Sequence, residues 1–276
     1  MKRVLIIFIS LLLLSSSCRK IVQDEFKCFE NTLTANSILI EGEYVQLHIS
    51  LTDELNEYQL KNISNANIEM YNQDSLFLSF TYVENGIYVS DYIIRENDSF
   101  TLKVNKDNDS VSSECLIPAK PELLDFYVNE NAWVDNEGIL QPQLNFTILN
   151  NKSKECYFEA YILIYNTTAD YVIEEYPVLY FDNSGFNAES ISKCLKIQHH
   201  SYSYPPEKHQ YQLIIKAVDF NYYKYVTSIT DYNLGRYPDF SNATIVPTNL
   251  FSNIKNGYGI FCGYSQTISD IIGIID

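Results

Sequence analysis

Apolar residues occupy every second position through much of the chain. Val45, Leu47, Ile49 and Leu51 alternate with Gln46, His48 and Ser50, which turns one side of the segment to a core and the other to water. Ile68 and Met70 repeat the pattern against Asn67 and Glu69, and Phe100, Leu102 and Val104 against Thr101 and Lys103. Leu76, Leu78 and Phe80 lead to Glu84-Asn85-Gly86, and Ile87, Tyr88 and Val89 follow. Asn-Gly between apolar strands is a strong hairpin signal, because both residues tolerate positive φ. A polar turn over 105–110 precedes an apolar segment over 111–117, and a first strand is expected near 38–40. This spacing, about seven strands in roughly ninety residues, is that of an antiparallel sandwich. Pro118-Ala119-Lys120-Pro121 ends it, since proline donates nothing to a ladder and restricts the residue before it.

The pattern resumes with 123–128, with Leu144, Phe146 and Ile148 against Asn145 and Thr147, and with a long run over 156–165. Segments 171–181 and 194–197 add further strands. Tyr211, Leu213, Ile215 and Ala217 alternate with Gln212 and Lys216, and 257–264 and 268–275 close the chain as strands. One segment has the other period: Tyr222, Tyr225, Val226 and Ile229 sit at helical spacing, with Asp219 placed to cap the start and Gly235 beyond the end. The expectation is an all-β protein of two β-sandwich-like domains, with one amphipathic helix in the second near 219–233. Residues 28–118 would form the first, immunoglobulin-like or transthyretin-like, and 119–276 the second.

The amino terminus departs from this pattern. Lys2 and Arg3 precede an apolar run from Val4 to Leu14 broken only by Ser10, and Ser15, Ser16, Ser17 and Cys18 follow, the layout of a secretory signal. Eleven residues span about 16 Å as a helix, against a hydrocarbon core of about 30 Å, too short for a permanent span. A cysteine after small residues at the end of such a run resembles the bacterial lipobox, with Ser15 where that motif usually has Leu. The resemblance implies a signal peptide over 1–17, lipid attachment (palmitate among the acyl chains) at Cys18, and a tether over 18–27. The plain alternative is an ordinary signal peptide with an incidental cysteine. Arg19 rather than Asp follows Cys18, so the resemblance points to outer-membrane delivery, on the periplasmic face or the cell surface. Gln23-Asp24-Glu25 is similar to acidic export signals.

Charge narrows the partners. The chain has 19 basic and 35 acidic residues; without Lys2 and Arg3 there are 17 basic ones and a net charge of −18. Such a surface repels nucleic acid, and no nucleic-acid partner is expected. With Cys18 lipidated, Cys28, Cys115, Cys156, Cys194 and Cys262 remain, an odd number that leaves at least one free thiol. Cys28 with Cys115 could join the first and last strands of the first domain, and Cys156 with Cys194 is a second candidate pair. Cys262, inside Gly-Ile-Phe-Cys-Gly-Tyr, reads as a small buried apolar residue.

Candidate chemistry is sparse. His199, His200, Glu207 and His209 gather around the Pro205-Pro206 loop with divalent-metal ligand types, but such a loop imposes no convergence and a solvated hairpin is the simpler account. Asn105, Asp107, Asn108 and Asp109 are oxygen-rich without the EF-hand order. There is no nucleophile elbow, and Glu174 and Glu175 as strand neighbours point to opposite faces. No catalytic residue, metal ligand or cofactor is assigned, and an enzyme is not expected.

The order of features resembles the domain of unknown function 4249 family of Bacteroidota lipoproteins. The resemblance lies in Asn85-Gly86-Ile87-Tyr88-Val89, Phe100-Thr101-Leu102-Lys103-Val104 and the Ile117-Pro118 exit. It continues in Phe181-Asp182-Asn183-Ser184-Gly185-Phe186-Asn187, the helix over 222–231, and Pro247-Thr248-Asn249 through Ser252-Asn253-Ile254 to Gly257-Tyr258-Gly259-Ile260-Phe261. Members are often encoded beside TonB-dependent outer-membrane transporters. The resemblance therefore implies a non-enzymatic binding or accessory protein of an envelope transporter; a surface glycan-binding or adhesin-like protein is the alternative.

Overall fold

The alternating segments form strands, and the strands pack as two layered sandwiches that share one sheet. The computed structural model describes residues 31–52, 61–73, 77–166, 171–173, 178–198, 209–236 and 249–273. The signal, the tether, Cys18 and Cys28 lie outside them, as do Glu174, Glu175, His199, His200 and Glu207. The first half contributes β1 (Leu33–Ile40), β2 (Tyr44–Leu51), β3 (Lys61–Asn62), β4 (Asn67–Asn72), β5 (Phe77–Leu78), β6 (Thr81–Tyr82), β7 (Ile87–Ile93), β8 (Ser99–Lys106) and β9 (Asp109–Leu116). The second contributes β10 (Leu123–Val134), β11 (Leu140–Leu149), β12 (Tyr157–Asn166), β13 (Tyr171–Ile173), β14 (Leu179–Asp182), β15 (Ser190–Lys196), β16 (His209–Val218), α1 (Phe220–Arg236), β17 (Phe261–Ile268) and β18 (Ile272–Gly273). The chain is thus all-β with a single helix among the described residues.

The largest sheet follows the order β13-β12-β16-β17-β1-β2-β7-β6, with β14, β18 and β3 attached to β12, β16 and β2. The four-stranded sheet β5-β4-β8-β9 covers one end of it and the three-stranded sheet β10-β11-β15 the other. The first core lies under the four-stranded sheet, where Val45, Leu47 and Ile49 meet Met70, Phe100, Leu102 and Val104. The second lies under the three-stranded sheet, where Leu144, Phe146 and Ile148 meet Phe158, Ile162, Leu213 and Ile215. In each case the inward residues are the alternating apolar ones, as the period of two requires.

The two cores lie on either side of Pro118–Pro121 in sequence, with two exceptions: Ile254 and Phe261, from the C-terminal end, belong to the first. They arrive there because β17 pairs in parallel with β1, Ser37 opposite Phe261 and Ile40 opposite Tyr264, and antiparallel with β16 on its other side. Residues 31–276 accordingly form one compact unit.

Local turn chemistry acts as expected at Asn85-Gly86. Both residues have positive φ, 48° and 80°, the Val83 N–H donates to Ile87 O at 2.9 Å, and Tyr82 faces Tyr88 across the ladder. The carboxyl end differs from the expected strand over 257–264. Only its last part is strand; Tyr258 and Ile260 lend carbonyls to Ala35 and Ser37, and Gly259 turns at φ 119°, where an added Cβ would lie 2.1 Å from Ala35 O. Asn253 stands in for a strand there, its amide donating to Phe261 O at 2.7 Å while its Oδ1 accepts the Phe261 N–H at 2.9 Å.

Candidate functional site

Where the two sandwiches meet, the Pro118–Pro121 segment bridges a gap between the end of β9 and the starts of β12 and α1. The gap is an open cleft of about 800 Å3. Leu116, Pro118 and Pro121 form one wall and Tyr157, Phe158 and Phe220 the other. Tyr157 holds its wall through ring contacts with Phe220 at 5.4 Å and Tyr223 at 5.0 Å. Burial, with the adjacent Glu155 carboxylate, pushes its phenol up to about 12, so the hydroxyl stays a donor, to Glu155 at 2.7 Å.

Asp219 is among the residues that line the cleft and directly precedes α1. Its Oδ1 accepts the Tyr222 N–H at 2.7 Å and its carbonyl the Tyr223 N–H at 3.1 Å, the capping geometry that the sequence suggested. The residue is only 7% exposed, and Oδ2 has no hydrogen-bond partner. Burial raises the carboxyl to about 6, opposed by the Tyr222 N–H and the nearby Cys115 thiol. Burial likewise pushes the Cys115 and Cys262 thiols up, away from the nucleophilic thiolate form.

Beside the cleft the loop over 150–156 is held by Asn183. Its amide donates to Asn150 Oδ1, Asn151 O and Lys154 O, and its Oδ1 accepts the Cys156 N–H at 2.9 Å. The acidic and aromatic segment over 181–187 is thus a clamp that shapes the cleft. Next to it Phe181 stacks on Phe158 at 5.0 Å.

The remaining sequence candidates fall elsewhere. Cys115 is buried on β9 beside Asp219, and its suggested partner Cys28 lies outside the described residues. Cys156 packs against the second core, whereas Cys194 is exposed on β15, opposite in parity to the inward Ile191 and Leu195. Both carry free thiols, so the Cys156–Cys194 pair is not formed here: one side chain points inward and the other to water. His209 opens β16. Asp107 is a turn residue with φ 52° whose carboxylate pairs with Lys106 at 2.6 Å. Among the described residues no group of three or more His, Cys, Asp or Glu side chains is placed to hold a metal ion.

Sequence reasoning missed one constellation. Glu159 and Lys216 face each other across β12 and β16 on the side away from the second core, with Nζ to Oε1 at 2.5 Å, and the Tyr222 hydroxyl donates to Glu159 Oε2 at 2.8 Å. The ammonium sits against the Tyr264, Tyr161 and Tyr222 rings at 4.8, 5.0 and 5.9 Å. A lone acid within the apolar run 156–165 was the available signal.

Residues 20–269 match the family described as domain of unknown function 4249. The chain belongs to that family. Among curated proteins none matches it. The stretch matched by the DUF4249 family takes in every residue of the cleft.

Proposed function

We propose that this DUF4249 protein is a lipid-anchored, outer-membrane protein that works by binding, as a non-enzymatic accessory of an envelope transporter. The observation that carries the reading is the cleft. At about 800 Å3, lined by apolar residues of both sandwiches with polar and charged side chains among them, it has the size of a small-ligand site. The amino-terminal pattern supplies the anchor, since two or three acyl chains on Cys18 hold a protein stably where one is marginal. The transporter partner, a TonB-dependent outer-membrane protein, follows from the company that members of the family keep.

Palmitate-analogue labelling of cells should mark the wild type and not Cys18→Ala; label retained by the variant, or a mature N-terminus elsewhere, removes the anchor. A pull-down from detergent-solubilised envelopes should recover a β-barrel protein. Turnover of a hydrolase substrate panel by purified protein would replace binding with catalysis.

A second reading, surface glycan binding or adhesion, is favoured by the outer face of the three-stranded sheet. There Tyr127, 53% exposed, faces Asn145, and the Gln143 amide donates to Asn145 Oδ1 at 2.8 Å. Trp133 lies under Lys196 on the same face, 5.1 Å from its ammonium. Aromatic faces beside carboxamides suit sugar rings. Signal on a glycan array with no barrel recovered would select this reading.

A further inference from the structure

The outer face of the three-stranded sheet carries side chains that neither core uses. Tyr127, Asn145 and Cys194 lie in one row across β10, β11 and β15, and Asn129, Gln143 and Lys196 lie in the next. Alternation turns them away from the inward Leu144, Phe146 and Leu195. Tyr127, Asn129 and Lys196 are exposed. Lys196 differs from other lysines of the chain. Lys106, Lys120, Lys152 and Lys216 each pair with an acid, whereas Lys196 meets none among the described residues and rests on the Trp133 ring at 5.1 Å. That ring is fixed in turn by its own N–H, donated to Pro142 O at 2.9 Å. Acids along the sequence are engaged elsewhere. Asp125 accepts the Phe126 N–H, and Glu130 lies within electrostatic reach of Tyr211 in the second core. Asp135, just beyond β10, accepts the Gln141 amide and the Glu137 and Ile139 N–H groups.

We propose that this face binds a glycan in which one uronic acid stands beside neutral sugars. A neutral ring stacks on Tyr127, its hydroxyls meet the Asn145 and Gln143 carboxamides, and the uronate carboxylate meets the Lys196 ammonium. This rests on the glycan-binding reading given above. Lys196 stands two strands across and two residues along from Tyr127, about 12 Å at about 4.8 Å per strand and about 3.3 Å per residue. That is about the span of two or three linked sugar rings. The one cation on these two rows matches one carboxylate, while a densely charged polymer such as nucleic acid is repelled by the chain's excess of acids. Trp133 acts through Lys196: its ring face is taken up by the ammonium and holds it on the sheet surface.

The test is calorimetric titration of the full chain with glucuronosyl-xylotriose and galacturonosyl-rhamnose, each beside its carboxyl-reduced, neutral counterpart. At least one acidic oligosaccharide should bind about tenfold more tightly than its neutral form. Lys196→Met keeps the aliphatic stem, and should erase that preference while the neutral form binds as before; Lys196→Arg should retain it. Trp133→Leu should lower the preference without changing the neutral affinity, and Tyr127→Ala should weaken acidic and neutral forms by the same factor. Equal affinity for the two forms, a preference that survives in Lys196→Met, or no saturation by either acid in the millimolar range would each overturn the proposal. If a variant fails to fold, the wild-type ratio of acidic to neutral affinity decides. Neutral binding without a preference, or blank titrations with signal on a glycan array, refute the uronate and leave the glycan reading standing; blank titrations with a blank array remove both.

Discussion

At the scale of single residues the most consequential contacts are those of Glu159. Its two oxygens are divided between the Lys216 ammonium and the Tyr222 hydroxyl, and side chains of the ion pair are 12% and 6% exposed. Burial, reinforced by Glu159, holds the Tyr222 phenol far above its ordinary range, so it remains a donor. Lys216→Ala strands a buried carboxylate and should cost about 3–5 kcal/mol, whereas Lys216→Met with Glu159→Leu should come much closer to neutral. Tyr222→Phe removes one bond to a charged acceptor and should cost about 1.5–3 kcal/mol. Urea denaturation of the four proteins measures all three differences. Both charges are visible in the sequence as intruders in apolar strands. That they are partners is not visible, because they are 57 residues apart and local pattern carries no information on which strands become neighbours.

At the scale of elements, α1 depends on a cap that works against the fold at neutral pH. The Asp219 carboxyl titrates near 6 in the folded chain against an ordinary 3.8, so the folded state binds the proton more tightly than the unfolded one. Stability from this group is therefore full at acid pH and declines as pH rises from about 4 to about 6, by an amount on the order of 1–3 kcal/mol. Asp219→Asn should be the more stable protein above about pH 6, with that decline absent from its profile; thermal melts across pH check it. The start of α1 and the Asn85-Gly86 turn were legible because both are set by chemistry within a few residues. Its end was not: the helix runs through Gly235 to Arg236 rather than stopping before the glycine. Packing onto Val218, Tyr157 and Cys262 by Tyr222, Tyr223, Tyr225 and Val226 gives it length that propensity does not. The loop over 257–260 was misread as strand for a related reason, since its aromatic and apolar residues serve a parallel contact with β1 that leaves no trace in periodicity.

At the scale of the whole molecule, the all-β class and the division of apolar residues between two cores could be read from alternation and the Pro118–Pro121 break. The sheet that joins the cores could not, because β17 reaches β1 from the far end of the chain. Removing residues 249–276 should deprive the first core of Ile254 and Phe261 and leave one side of β1 unpaired. A fragment of 28–118 alone is therefore expected to lack the sharp, dispersed amide spectrum of a packed domain, and to gain it when 249–276 is fused through a flexible linker. A well-dispersed spectrum from the bare fragment would show that β17 is dispensable to the first sandwich.

The parallel seam between β1 and β17 also sets an order in time. Asn36 and Ile260, bonded across it, are separated by 224 residues. The first strand to leave the ribosome must wait for almost the last one, and the search that unites them carries the entropy of a very long loop. Until translation is nearly complete the nascent chain keeps an open strand edge that only its own tail can close. The seam between β1 and β17 is thus expected to close in one late step, after most of the chain has been made.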